Sequence, residues 1–366
     1  MGFHVVKREN CPLWKKALFY LAAVVFALLI GGLILFLIGV DPFAYYSRMF
    51  TMGTVGNAIA YKTFINYLKD FVPLVLTSVG LSLAFKMRFW NIGGEGQFIM
   101  GAIASSAVAI LLGNTLPSFL VLLLMCLAAM LAAGLYGLLV AALKVRFGTN
   151  ETLLTLMLNY VALYILKFLM ETKTSWNFFL NPKELRPVPQ SHPAAARFPT
   201  FSLGGKFQLN ICVIFAVVIG ILIYLYLKRT KQGYEIAVVG DSAGTARYAG
   251  MKVNSIVLRT VFLSACLIGL AAAFKMGTVG TMSTAITNDV GWTGIIVAWL
   301  AQLNTAAIFV VSALIGVLYY GSTVAAATFS QVDSSFANML QGFILFLVLA
   351  ADFMIRFRIV RTKKEG

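Results

Sequence analysis

Phe89-Trp90-Asn91-Ile92-Gly93-Gly94-Glu95-Gly96-Gln97-Phe98-Ile99-Met100-Gly101 is the stretch on which the reading of this chain turns. It lies between apolar runs long enough to cross a membrane. Yet it places Gly93, Gly94 and Gly96, the Glu95 carboxylate and the amides of Asn91 and Gln97 where a spanning helix should begin. Irregular polar backbone survives at membrane depth only where protein or water covers it, because each unmet N–H or C=O in lipid costs several kcal/mol. Two readings follow. The stretch is an element of a transport pathway, or it is a helix-entry turn with Glu95 near the N-terminus of the next helix, where the macrodipole favours an anion.

Working outward, composition sets the class. Of 366 residues, 60% are hydrophobic and 11% charged, and the mean hydropathy is +0.88. These values describe an all-α polytopic membrane protein and exclude a soluble globular enzyme. The formal charge of +16 does not mark a nucleic-acid binder, because its lysines and arginines flank apolar runs instead of clustering on a polar face. Cys11, Cys126, Cys212 and Cys266 are far apart without metal-ligand spacing and read as reduced packing residues. The first apolar run, from about Ala17 to Val40, is too long for a signal-peptide core and should be a retained helix.

Apolar runs predict about ten transmembrane helices, near 17–40, 71–86, 92–112, 118–142, 152–170, 210–227, 255–274, 289–303, 305–328 and 336–355. With both termini inside, 19 of the 29 basic residues fall in short inner segments, Lys15, Lys16, Lys86, Arg88, Lys144, Arg146, Lys228, Arg229 and Arg259 among them. The whole chain, 1–366, reads as one transmembrane domain, with an extracytoplasmic loop over 171–209 and a cytoplasmic loop over 228–254. Residues 57–70 interleave Phe64, Ile65 and Leu68 with Lys62, Asn66 and Asp70, the pattern of an amphipathic helix lying on the outer surface.

Gly80-Leu-Ser-Leu-Ala-Phe-Lys-Met87 closes the second span and Gly269-Leu-Ala-Ala-Ala-Phe-Lys-Met276 the seventh, with six of eight positions identical. Five spans separate the copies, so they run in opposite directions through the membrane. An inverted internal repeat is therefore expected, with the solute path at the repeat interface.

No catalytic or metal-binding constellation is visible. The two histidines, His4 and His192, lie outside the spans, and no phosphate-binding G-x-x-x-x-G-K-[ST] loop occurs. If ATP drives this protein, another chain binds it. Polar residues in or beside the spans are the pathway candidates: Asn91, Gly93, Gly94, Glu95, Gly96 and Gln97, then Asn159, Asn288 and Asp289, with Gln302, Asn304 and Gln341. Amides suit a neutral solute because they offer donors and acceptors without a buried charge. Asn159 could equally bridge two helices. In the inner loop, Ser242 is placed to cap a short helix over 243–249 that Gly250 ends.

Asn-Ile-Gly-x-Glu-Gly-Gln after Ala84-Phe85-Lys86 resembles the signature of permease subunits of ABC importers for nucleosides and simple sugars. Gly148-Thr149-Asn150-Glu151 leading to Met157-Leu158-Asn159-Tyr160 is similar to the family's fifth-helix pattern, and Gly233-Tyr234-Glu235 through Gly250 to its coupling loop. The resemblance covers about residues 60–355 and implies a type II ABC importer fold. It also implies a second permease, identical or homologous, ATPase subunits that bind the ATP, an extracytoplasmic substrate-binding lipoprotein, and a bacterial cytoplasmic membrane. By the same resemblance Gly240, Asp241, Ala243, Ala246, Arg247, Tyr248, Ala249 and Gly250 form the coupling helix that docks on the ATPase. The solute it implies is a nucleoside, with simple sugars and riboflavin-like compounds as alternatives. One segment departs from the family: Gly291-Trp-Thr-Gly294 and Ala298-Trp-Leu-Ala-Gln302 stand where a Phe and an Ala-Leu-Leu-Gly run are usual. An ion-coupled secondary transporter is the rival of another class, but it calls for carboxylates in mid-span, and Glu95, Glu151, Asp289, Asp333 and Asp352 sit near predicted ends.

Overall fold

The computed structural model describes residues 2–7, 12–55, 60–202, 208–329, 331–333 and 335–362. Asn57 to Ile59, Cys11, Arg8, Lys206, Lys363 and Lys364, which entered the sequence reading, lie outside the described residues. The first half of the chain runs β1 (Gly2–Lys7), α1 (Leu13–Leu37), α2 (Pro42–Phe50), α3 (Ala60–Lys86), α4 (Gly94–Leu112), α5 (Ser118–Phe147) and α6 (Glu151–Glu171). The second runs β2 (Thr200–Ser202), β3 (Gln208–Asn210), α7 (Ile211–Arg229), α8 (Lys231–Asp241), α9 (Ala243–Tyr248), α10 (Val253–Val279), α11 (Val290–Leu300), α12 (Thr305–Ala326), α13 (Ser335–Arg356) and β4 (Phe357–Thr362). The chain divides into two compact units, Met1–Thr63 with Leu314–Gly366, and Phe64–Ala313.

In the first unit α1 packs along α13, and Tyr20 donates to Asp352 at 2.9 Å. Small residues let α2 come close. A Cβ on Gly31 would meet the Tyr46 hydroxyl at 2.7 Å, and one on Gly321 would lie 1.9 Å from the Met49 carbonyl. Buried Tyr45 shares a 2.6 Å hydrogen bond with Ser322. β1 and β4 pair antiparallel from Gly2↔Thr362 to Lys7↔Phe357, strands that the all-α reading did not contain. This pairing sets residues 2–7 and 357–362 side by side.

In the second unit α3 and α10, each of 27 residues, lie antiparallel. Lys275 pairs with Asp70, and Ser264 Oγ donates to the Gly80 carbonyl at 2.7 Å. The two octapeptides of the sequence repeat thus sit in α3 and α10 and run in opposite senses. Helix order around them corresponds as well: a shorter helix, a 27-residue helix, an irregular turn and a further helix occur in each half. Gly269 carries no Cβ because one would lie 2.2 Å from the Ala129 carbonyl, and that approach seats α10 against α5.

Two expectations are corrected. The helix expected to lie on the surface over 57–70 is not separate, since residues 60–86 form one helix that passes through Pro73. Phe64, Ile65 and Leu68 continue in helical register into Val72, so the apolar stripe never breaks. The expected eighth span, 289–303, holds only the 11-residue α11, about 16 Å long against a hydrocarbon core of about 30 Å. Among the described residues nine helices are long and apolar enough to cross. Residues 280–289, which precede α11, are turns and extended backbone and not helix.

The long loop after α6 is pinned to the helices. Leu180 bridges Pro189, Ser191 bridges Thr281, and the His192 amide donates to the Gly280 carbonyl at 2.8 Å. The His192 ring is buried with Nε2 2.8 Å from Ser106 Oγ, and burial pushes its pKa down to about 4, so it stays neutral near pH 7.

Cysteines at Ser191 and Ser242, both exposed here, should react with an impermeant thiol reagent from opposite sides of the membrane. Labelling from one side would overturn the assignment of the two loops to opposite faces.

Candidate functional site

The quoted glycine stretch folds as a turn, residues 87–93, followed by the first turns of α4. Its polar groups are spent on one another. Asn91 Nδ2 donates to Gln97 Oε1 at 3.1 Å, Gln97 Nε2 donates back to Asn91 Oδ1 at 3.2 Å, and Asn91 Oδ1 also accepts from the Gly93 amide at 3.0 Å. Asn159 on α6 ties the turn from the side. Its Oδ1 accepts from the Gly96 amide at 2.8 Å and its Nδ2 donates to the Ile92 carbonyl at 2.9 Å. One helical turn earlier, Thr155 Oγ1 accepts from the Ile92 amide at 3.2 Å. Asn91, Gln97 and Asn159 are all buried. These partners meet the Ile92, Gly93 and Gly96 amides and the Ile92 carbonyl, which a buried non-helical turn would otherwise leave unpaired.

The glycines serve close approach. A Cβ on Gly96 would lie 2.9 Å from Asn159 Oδ1 and 3.1 Å from its Cα, so any side chain would push α6 away. Gly93 and Gly94 have ordinary negative-φ backbone, and a Cβ on Gly94 would meet Leu81 of α3 at 3.3 Å. Glu95 lies in the first turn of α4, and its Oε2 accepts from the Gly291 amide at 2.8 Å. A Cβ on Gly291 would fall 2.2 Å from the Glu95 nitrogen. Two helix N-termini, those of α4 and α11, therefore meet at one buried carboxylate, where both dipoles favour a negative charge.

Of the pathway candidates, the structure joins Asn91, Gly93, Gly94, Glu95, Gly96, Gln97 and Asn159 into one buried knot. Asn288 stands apart, exposed in the turn before α11 with φ +45°. Thr155 and Gly291 were missed by sequence reasoning. Thr155 had one available signal, its position four residues before Asn159 on the same face of α6. Gly291 had none, since only the fold brings it to Glu95.

The inner loop is more structured than expected, with α8 and α9 in sequence. Ser242 caps α9 by accepting from the Thr245 amide at 3.2 Å, and Gly250 leaves it with φ +76°. Arg259 of α10 holds Glu235 of α8 at 3.0 Å, and Lys144 pairs with Glu151 nearby. The coupling candidates divide by direction. Ala246 is fully buried in an apolar cluster with Ala84, Phe89, Val140, Ile236 and Val253. A Cβ on Gly240 would lie 2.0 Å from the Lys86 carbonyl. Both face this chain, Ala246 through the apolar cluster and Gly240 through its close approach to the end of α3. Asp241, Ala243, Arg247, Tyr248, Ala249 and Gly250 are exposed, Tyr248 at 96%. A cleft of about 430 Å³ opens beside them, with Arg88, Lys144, Asp241 and Arg247 in its wall.

Asn159→Ala strips a partner from the Gly96 amide and the Ile92 carbonyl, each worth about 1–3 kcal/mol when buried and unmet. It should lower the melting temperature of the detergent-purified protein, as should Gly96→Leu. Glu95→Gln keeps an acceptor for Gly291 and should lower it less. An unchanged melting temperature for Asn159→Ala with uptake lost would mark Asn159 as a solute ligand.

The family model described as branched-chain amino acid transport system / permease component matches residues 63–349. The chain is 26% identical to a glucose ABC transporter permease protein of Haloferax volcanii, over 96% of this chain and 92% of that one. It is 26% identical to a guanosine ABC transporter permease protein of Bacillus subtilis, over 94% and 96%. It is 25% identical to a nucleoside ABC transporter permease protein of Lactococcus lactis, over 95% and 94%.

Proposed function

We propose that this chain, which belongs to the branched-chain amino acid transport system / permease component family, is the membrane-spanning subunit of an ATP-driven importer whose solute is a nucleoside. It is a multi-pass permease and not an enzyme. The observation that carries the solute is the end-to-end likeness to permeases named for guanosine and for nucleosides. A glucose permease is equally similar, and it keeps a simple sugar as the second reading.

The geometry supports a division of labour. The buried knot around Asn91, Gln97 and Asn159 holds α4, α6 and α11 in register, and the exposed side of α9 offers a grip. In this reading two ATPase subunits bind the ATP and receive Tyr248 and Arg247 from the cytoplasmic face. A second permease, identical or homologous, completes the pathway, and an extracytoplasmic lipoprotein delivers the solute. The protein lies in the bacterial cytoplasmic membrane with both termini inside. A pathway must release what it binds, so most selectivity sits in the delivery protein.

Tyr248→Ala or Arg247→Glu should abolish uptake while the permease still accumulates in the membrane at normal level, because a desolvated anchor carries much of a docking interface. Ala246→Asp should instead remove the folded protein, because an unpaired charge enters an apolar cluster. Normal uptake by both exposed variants would move the ATPase contact elsewhere.

The solute is tested by uptake of labelled guanosine, adenosine, uridine, ribose, glucose and riboflavin in cells with and without the gene. Gene-dependent uptake of guanosine or adenosine is expected. Dependence confined to a sugar or to riboflavin would refute the nucleoside and leave the importer standing.

A further inference from the structure

The stretch between α10 and α11 is a strap of irregular backbone. It begins at Gly280, which the His192 amide grips near the Lys275–Asp70 pair, and ends where Gly291 meets Glu95. On α3 the corresponding landmarks are Asp70 and Leu81, since Leu81 packs where a Gly94 Cβ would be and Gly291 lies beside it. Eleven residues of helix separate those landmarks, about 16 Å. The strap 280–289 therefore runs alongside about 16 Å of the apolar spanning helix α3 as a run of tight turns, with Ile286, Asn288 and Val290 each donating to the carbonyl three residues back.

One side of this strap is anchored and the other is bare. Met282, Ile286 and Val290, spaced by four, are buried, whereas Ser283, Thr284, Asn288 and Asp289 are exposed. α11 continues the division. Gly291, Gly294 and Ala298 are buried, with Gly291 and Gly294 set against α4 and α3, while Trp292 is 37% exposed. Trp299, seven residues further along the same side, stacks on Trp90 with centroids 5.4 Å apart and planes 14° from parallel, and Trp90 is 45% exposed. Trp292 and Trp299, seven residues apart within α11, fall on one side of it, and exposed Asp289 immediately precedes the helix.

A bare carboxylate, an amide, hydroxyls and turn backbone cannot face lipid at this depth. We propose that this side, Ser283 and Asn288 with Asp289 above and Trp292, Trp299 and Trp90 below, lines the route of the solute, and that the buried amide knot does not. The chemistry fits a neutral solute with a flat ring and hydrogen-bonding edges: hydroxyls and an amide to exchange for water, then indole faces on which a ring can slide. The consecutive left-handed residues Asn288 (φ +45°) and Asp289 (φ +55°) hold the strap in a conformation rare for non-glycine residues, as is common where backbone clamps a ligand. This inference rests on the permease reading but not on the nucleoside.

The test uses the assembled importer in membrane vesicles, with Ser283→Cys, Asn288→Cys and Trp292→Cys made singly and Thr155→Cys as the buried comparison. A small impermeant methanethiosulfonate should modify the three at least about tenfold faster than Thr155→Cys, because reaction follows thiol exposure to water, and modification should block uptake. Guanosine, if transported by the unmodified protein, should slow the reaction. Modification only after detergent separates the subunits would make this side an interface between chains, and modification only by a lipid-soluble maleimide would make it a lipid face. Either result overturns the proposal. Trp292→Ala should raise the KM for uptake about tenfold or more at unchanged protein level, with Trp292→Phe close to wild type, and equal KM for all three would overturn it as well. Labelling in vesicles that take up no guanosine would reject the nucleoside and keep the route.

Discussion

The hydrogen bond from the Gly96 amide to Asn159 Oδ1, 2.8 Å long and buried, is the contact on which the arrangement of the second unit depends. A chain that leaves α3 and turns back into α4 within seven residues exposes peptide groups where lipid offers them nothing. Asn159 meets one donor and one acceptor of that turn at once, and Asn91 with Gln97 meets its own. Because the partners are single amides at fixed positions, α6 is locked in rotation and height against α4. The small residues then follow as a consequence. Gly96 admits α6, Gly94 admits α3, and Gly291 admits the start of α11 to the same place.

How much of this could be read from residues alone depended on the range of the interaction. Apolar runs, the cap at Ser242, the left-handed Gly250 and the opposed octapeptides in α3 and α10 are local or repeated signals, and each has its counterpart in the structure. The knot was half legible. Asn91, Glu95, Gln97 and Asn159 were named, but the same amide types serve a solute and a backbone equally well, and only distances separate the two uses. Gly291 lies 196 residues from its partner Glu95, and no local pattern carries that contact. The extent of α3 was misread for a different reason. Charges at Lys62, Lys69 and Asp70 look like the edge of a membrane, although a helix can carry them past that edge while Ile65, Leu68 and Val72 stay on one stripe.

The inner loop shows why residue-by-residue transfer from a resemblance needs geometry. Eight positions of the 240–250 segment were carried over as one docking element. Ala246 and Gly240 turn inward, with no room beside Gly240 for even a Cβ, while Tyr248 projects almost wholly into solvent. A lever needs both a fixed side and a free side. If α9 is the docking element proposed above, substitutions on its two sides fail differently, by loss of the fold on one and by loss of the partner on the other.

The two halves of the repeat are unequal at one place, and the inequality has a physical reading. α4 has 19 residues, long enough to cross, whereas its counterpart α11 has 11 and is preceded by a strap of turns. Helical backbone satisfies itself and can face lipid, but turn backbone with bare polar side chains requires water or protein. The shorter helix has fewer helical hydrogen bonds, and two non-glycine residues, Asn288 and Asp289, stand at positive φ before it. The exposed side of the strap is polar, at Ser283, Thr284, Asn288 and Asp289, and α11 after it carries Trp299 stacked on Trp90; the proposed solute route rests on these two features.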